Sequence, residues 1–337
     1  MGSLSLSLSL FEILTEFKFL QYVIELAMEG KLLKILAPME DVTDTVFRQI
    51  LCDIGKPDIF FTEFMNVNGY CSEGKAVVAK RISFEDIERP IIVQLWGNSP
   101  ENFAKATKEI VKKIKPDGID INMGCSVRDV LKTGGGSALI KERELSGEII
   151  DVVKKNAKDI PVSVKTRIGY DKIDYSWIEF LLSKKLAMLT VHGRLAKEGY
   201  STPSKWDIFK EIKELRDEIS PDTLLIGNGD IKSTMQGEEL AKQYGLDGYM
   251  VGRGILTNPW LFSGREDISK KERLETLKKH LEIFEQVYGE EKNFNIQKKY
   301  IKAYISGFDR AGKLREELMN TRTFEEIKII IEKNGNK

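Results

Sequence analysis

Eight short, almost continuously apolar runs, separated by amphipathic stretches, constrain this chain more than any other feature. They are LLKILAPM (32–39), IFFTEFM (59–65), PIIVQLWG (90–97), GIDINMG (118–124), PVSVKTRIG (161–169), AMLTVHGR (187–194), TLLIGNGDI (223–231) and GYMVGRG (248–254). Parallel strands covered on both faces read this way, because neither face has water to meet with polar residues. Between the runs, PENFAKATKEIVKKIK (100–115) puts Phe103, Ala106, Ile110 and Ile114 on one helical stripe, and WDIFKEIKELRDEI (206–219) does so with Ile208, Ile212 and Leu215. Asn98, Ser99 and Pro100 mark a helix start. Eight strand–helix units predict an α/β fold, a closed (β/α)8 TIM barrel over 34–262, because a doubly wound open sheet usually stops at about five or six strands. Residues 266–337 have no strand signals and several amphipathic stretches, which predicts a small all-helical C-terminal domain.

A barrel places its chemistry at the C-terminal ends of the strands. Pro38, Met39, Glu63, Gln94, Asn122, Cys125, Lys165, Arg167, His192, Arg194, Asn228, Asp230 and Arg253 are expected there. GNGDI (227–231) and VGRGIL (251–256) are glycine-rich turns after the last two strands, the usual place for a phosphate held by backbone N–H groups and a helix N-terminus. Arg253 can add a charged contact. Lys165 and Arg167 are two apart, so both can face the barrel mouth. Gln94 can offer a donor and an acceptor to an amide-like ring edge. Cys125 stands beyond its strand, and a thiol near its ordinary pKa can deliver a proton at neutral pH. GGGS (134–137) reads as a mobile loop able to close over a substrate.

The three cysteines (Cys52, Cys71, Cys125) are scattered and odd in number, which argues against a disulfide framework and for a cytoplasmic home. With no CxxC and only His192 and His280 as histidines, no metal site is expected. Residues 1–33 open with a Leu/Ser alternation and carry Glu12 and Glu16 inside the apolar run, unlike a signal peptide or a membrane span. They are assigned no chemistry: a short helix on the main domain, a partly disordered extension and a leader from a mis-assigned start are all compatible.

Taken in order, APMEDVTD (37–44), TEFMNVNG (62–69), VQLWGNSP (93–100), GIDINMGCSVRDV (118–130), VKTRIG (164–169), TVHGR (190–194), GNGDI and GYMVGRG resemble the tRNA-dihydrouridine synthase family of bacterial type. KKYIKAYISGFDRAGKLREEL (298–318) resembles a segment of that family's helical domain, whereas residues 1–33 have no counterpart. The resemblance implies an FMN enzyme that reduces D-loop uridines of tRNA to 5,6-dihydrouridine, with NADPH as reductant. Carried over by motif, Pro38 and Met39 lie along the isoalloxazine. Gln94 and Lys165 contact its pyrimidine edge, with His192 nearby. Asn228, Gly229, Asp230, Gly252 and Arg253 receive the ribityl chain and phosphate. Asn122 and Arg167 face the substrate, and Cys125 is the general acid that protonates C5 after hydride reaches C6. Two positions depart from the family pattern. Ser126 stands where proline is usual, which should loosen the loop. Asp41 stands where small residues are common.

Two other readings share the phosphate turns: a flavin barrel acting on a free pyrimidine, like dihydroorotate dehydrogenase, and a non-redox phosphate-binding barrel. A tRNA-binding homologue without turnover is a third. Lys+Arg and Asp+Glu both number 52, so the net charge is zero and the chain is no bulk polycation. The charge is nevertheless uneven. Over 292–315, Lys292, Lys298, Lys299, Lys302, Arg310, Lys313 and Arg315 face Asp309 alone. Lys298, Lys299 and Tyr300, with Tyr304 nearby, are expected to grip tRNA through phosphate contacts and stacking. No membrane and no obligatory protein partner are expected.

Overall fold

The computed structural model describes residues 30–289 and 291–335. Most of the N-terminal extension therefore lies outside the described residues. All eight apolar runs are strands: β1 Leu33–Leu36, β2 Phe60–Asn66, β3 Ile91–Trp96, β4 Gly118–Met123, β5 Val162–Arg167, β6 Met188–His192, β7 Leu224–Asn228 and β8 Gly248–Val251. Every pairing is parallel, and β1 lies beside β8. The barrel closes where Ile35 of β1 bridges Ile59 and the Asp58 N–H donates to the Lys34 carbonyl at 2.8 Å.

Alternation along these strands divides the barrel interior into two zones. Leu33, Ile35, Ile59, Phe61, Ile92, Met188, Ile226 and Met250 form an apolar plug. Further along the same strands the inward positions turn polar: Gln94 two residues after Ile92, Asn228 two after Ile226, and Thr190 and then His192 after Met188. The register sets Asn122 beside Lys165, Arg167 beside His192, and His192 beside Asn228. One strand of polar side chains would mean little; the closed register converges five on one mouth.

The helix Pro100–Lys113 starts as expected, the Ser99 hydroxyl accepting from the Asn102 N–H at 3.3 Å, and buries Phe103, Ala106 and Ile110. The second forecast helix forms as Phe209–Ile219, burying Ile212. Beyond β8 no described residue is in a strand, and helices span Lys270–Tyr288, Lys298–Tyr304, Ala311–Met319 and Phe324–Gly335. This helical tail shares an apolar core with the barrel: Leu274, Leu277, Tyr300 and Ile301 belong to the same cluster as Phe47 and Leu51 of the helix Thr45–Ile54. No helix among the described residues is long and apolar enough to cross a membrane.

Candidate active site

The polar mouth opens into a cavity of about 910 Å3. Its walls include Pro38, Met39, Asn122, Cys125, Lys165, Arg167, His192, Asn228, Gly229, Asp230, Gly252 and Arg253, which the strand pattern had marked. Arg194, marked in the same way, also lines it, as do Tyr200 and Lys232. Tyr200 and Lys232 lie in loops with no periodic pattern, so no sequence signal singled them out.

Lys165 reaches across the barrel and donates to Asn228 Oδ1 at 3.0 Å, while Asn228 Nδ2 donates to the Met250 carbonyl at 2.7 Å. Burial lowers the Lys165 pKa, and Arg167 adds to the effect, bringing it to about 8. Lys165 is therefore mainly cationic at neutral pH. Burial and four surrounding cations (Lys165, Arg167, Arg194, Arg253) hold His192 well below its ordinary pKa, so its ring is neutral. Its Nε2 lies 3.3 Å from the Arg194 guanidinium, which can only donate. The proton is thereby assigned to Nδ1, and Nδ1 is buried without a protein partner. A buried donor left unpaired costs free energy. Next to a cation, on the wall of a cavity, it suits a ligand with an acceptor edge.

Cys125 is half-buried on the loop after β4. Burial raises its thiol pKa, opposed by the Val127 N–H. The thiol therefore carries its proton at neutral pH. Its loop is tied down by main-chain bonds: the Ser137 N–H donates to the Cys125 carbonyl at 2.9 Å, and the Cys125 N–H donates to Asn122 Oδ1 at 2.9 Å. Arg167 donates to the Gly124 carbonyl at 2.7 Å, the Leu195 carbonyl at 2.9 Å and the Ser126 hydroxyl at 3.3 Å. Ser126 thus acquires a tether that proline could not offer, and the loosening expected of it is compensated. Asp41 sits at φ 56°, a left-handed conformation in which glycine would be unstrained. Here its N–H donates to Glu63 at 2.6 Å and Arg81 holds both carboxylates.

Several expectations need correction. Gln94 is fully buried in mid-strand and does not line the cavity; its Nε2 donates to Asp120 Oδ2 at 2.7 Å and its Oε1 accepts from Asn122 at 2.9 Å, so its amide is engaged beneath the mouth and not at the cavity wall. Glu63 is likewise mid-strand and buried. Asp230 does not face an anion as a ligand. Both its oxygens accept from Arg194 at 2.6 Å, and Arg253 lies 3.6 Å away, so its role is to hold two guanidiniums. Burial acts to raise its pKa, yet the Arg194 contacts prevail and it lies below the ordinary value. The helix after β8 has only four residues, Gly254–Thr257, too short for a strong dipole, so the anion-attracting groups there are Arg253 and Lys232 with the open backbone at Gly252. The GGGS run is a packed turn rather than a lid, because a Cβ at Gly136 would stand 2.6 Å from the Cys125 carbonyl oxygen.

The segment expected to grip RNA is also reassigned in part. Tyr300 is 1% exposed, its hydroxyl donating to the Val42 carbonyl and its ring 5.0 Å from Phe47; Tyr304 is fully buried against His280. Neither has a face for a base. Lys299 donates to the Asp41 carbonyl, and Lys298 to the Met319 and Thr321 carbonyls at 2.9 and 2.7 Å. Lys299 and Tyr300 thus seat the helical tail on the β1 loop at the cavity rim, whereas Lys298 and Tyr304 tie the tail's own segments together. Lys302, Arg310 and Lys313 remain exposed.

The dihydrouridine synthase family model matches residues 35–335. The chain belongs to the dihydrouridine synthase family. It is 42% identical over 303 residues to a probable tRNA-dihydrouridine synthase 2 of Bacillus subtilis, covering 88% of this chain and 92% of that protein. It is 41% identical, with the same coverage, to a probable tRNA-dihydrouridine synthase of Staphylococcus aureus. Among solved structures, morphinone reductase in complex with tetrahydroNAD matches with a TM-score of 0.46 at 12% identity, over 67% of this chain and 84% of that one. An old yellow enzyme homologue from Zymomonas mobilis matches with a TM-score of 0.46 at 12% identity, over 67% and 85%. Dihydrouridine synthases are flavin-dependent oxidoreductases, and their substrate is tRNA. The unpaired His192 Nδ1, the cationic Lys165 and the apolar Pro38–Met39 wall fit a flavin.

Proposed function

We propose that this dihydrouridine synthase binds FMN in the cavity, takes its electrons from NADPH and reduces a D-loop uridine of tRNA, with Cys125 as the proton donor. The observation that carries the reading is a protonated thiol on a tethered loop, over a cavity walled by a neutral imidazole and a buried ammonium. A bound FMN, once reduced, would supply hydride to C6 of the uracil. Lys165 and His192 would hold its electron-rich pyrimidine edge, Pro38 and Met39 its apolar face, and Gly229, Gly252, Arg253 and Lys232 its phosphate. Cys125 Sγ holds the proton that C5 requires, since hydride addition leaves charge there that a positioned acid must quench. A uridine in folded tRNA has to be unstacked and turned into the mouth. The free cysteines suit a reducing cytoplasm. The test is expression in cells lacking the activity, with dihydrouridine mapped by position. Restored modification at a D-loop site supports the reading; absence of product at every site, or reduction of free uracil in preference to tRNA, overturns it.

Two further outcomes are expected. FMN affinity should fall as pH rises through about 8, where Lys165 loses its charge, and a Lys165→Met variant should bind weakly with a flat pH profile, read by fluorescence titration. Affinity for tRNA should fall with salt, because phosphate contacts release counterions. Removing Lys302, Arg310 or Lys313 singly should reduce the slope of log K against log salt by about 1 where that residue meets a phosphate.

A further inference from the structure

The buried polar groups beneath the mouth are arranged in a directed chain. Asp120 is fully buried in the middle of β4. Its Oδ1 accepts from the Ser163 hydroxyl at 2.5 Å and its Oδ2 from Gln94 Nε2 at 2.7 Å. Gln94 Oε1 accepts from Asn122 Nδ2 at 2.9 Å. Asn122 Oδ1 in turn accepts from the Gly124 and Cys125 N–H groups at 3.1 and 2.9 Å. An amide has one accepting and one donating end, so turning any member over turns its neighbour. An acceptor at Asp120 obliges Gln94 to point its NH2 there and its oxygen at Asn122. Asn122 must then give its NH2 to Gln94 and its oxygen to the loop. The two loop N–H groups demand the same orientation, so the chain is consistent from end to end.

We infer that Asp120 is a positioning residue for the proton donor, setting the polarity of the Gln94–Asn122 relay that holds the Cys125 loop over the cavity. This rests on the assignment of Cys125 as the proton donor. Without an acceptor at position 120, Gln94 Nε2 is buried unpaired or turns over towards Asn122. Asn122 then answers to two conflicting sets of donors, Gln94 and the loop, and the loop loses its anchor. Asp120 also faces Lys165, so charge and polarity have to be separated. Asp120→Asn does this. Its oxygen can still accept from Gln94, while its NH2 meets the Ser163 hydroxyl, which can rotate to accept. Asp120→Leu removes both the charge and the acceptor.

The experiment compares the two variants in the full chain with FMN bound. The rate of Cys125 alkylation by iodoacetamide is followed by peptide mass spectrometry, with exposed Cys71 as internal control, alongside single-turnover reduction of tRNA. In Asp120→Leu, Cys125 alkylation should change at least about fivefold at an unchanged Cys71 rate, and turnover should fall about tenfold or more at unchanged tRNA affinity. Asp120→Asn should restore both to within about twofold. Should Asp120→Leu not fold, Gln94→Met cuts the same relay one link on and should give the same alkylation change. Wild-type alkylation in the variant that cuts the relay, or equal effects of Asn and Leu, would overturn the inference. If alkylation behaves as expected and no variant, nor the parent, makes dihydrouridine, the relay stands and the functional reading fails.

Discussion

Replacing Cys125 by alanine is expected to lower the single-turnover rate of uridine reduction about 10²–10⁴-fold, the usual contribution of a positioned general acid. Flavin reduction by NADPH should remain near the wild-type rate. The reason lies in how the loop is held. Its tethers use the Cys125 main chain and the Arg167 guanidinium rather than the sulfur, so the methyl side chain leaves the loop in place. What disappears is a proton kept on the thiol by burial. Stopped-flow absorbance of the flavin, before and after mixing the reduced enzyme with tRNA, separates the two half-reactions. Reoxidation by tRNA within threefold of wild type in Cys125→Ala would remove Cys125 from the mechanism.

The second large effect concerns stability. Glu88→Ala should destabilise the fold by about 3–5 kcal/mol, the cost of leaving a buried charge without its partner. Arg48 and Glu88 are both fully buried and 2.5 Å apart. Glu88 also accepts from the Glu85 N–H at 2.9 Å and from the Thr45 hydroxyl, and Arg48 donates to the Thr43 and Ser83 carbonyls at 2.5 and 2.7 Å. Removing the carboxylate leaves the guanidinium with two neutral carbonyls. Removing both charges together, in Arg48→Met with Glu88→Leu, should recover most of the loss, because apolar pairs of similar size often replace buried ion pairs without penalty. Equilibrium urea unfolding measures both. A Glu88→Ala loss under about 1 kcal/mol would show that water reaches Arg48 and that the pair is not sealed. The pair also steadies the turn 39–45, whose Met39 and Asp41 border the cavity.

Strand positions were legible because doubly covered strands must be apolar throughout, and all eight runs formed strands within a few residues of their forecast limits. The cavity residues on strand ends followed from that periodicity. Gln94 and Tyr300 were misplaced for a shared reason: a residue type names the bonds it can make, and its neighbours in space decide which it makes. Gln94 could serve a ring edge equally well, until the register of β3 against β4 set it beside Asp120. Tyr300 among lysines looked like a stacking platform, until the helix Lys298–Tyr304 turned that face onto Phe47. The glycine run 134–137 has the composition of a mobile loop, yet only the crossing of the Cys125 loop requires glycine there, at a distance no Cβ allows.

By itself, then, the sequence determined the barrel, the strand ends that bear its chemistry and the family, because apolar periodicity and ordered motifs are properties of the chain alone. Which side chains are free to meet a ligand was decided only by the tertiary structure. Hydrogen bonds and ion pairs saturate, so a polar group that finds a partner across the barrel is spent, and one left unpaired, as His192 Nδ1 is, becomes the place where a ligand can bind.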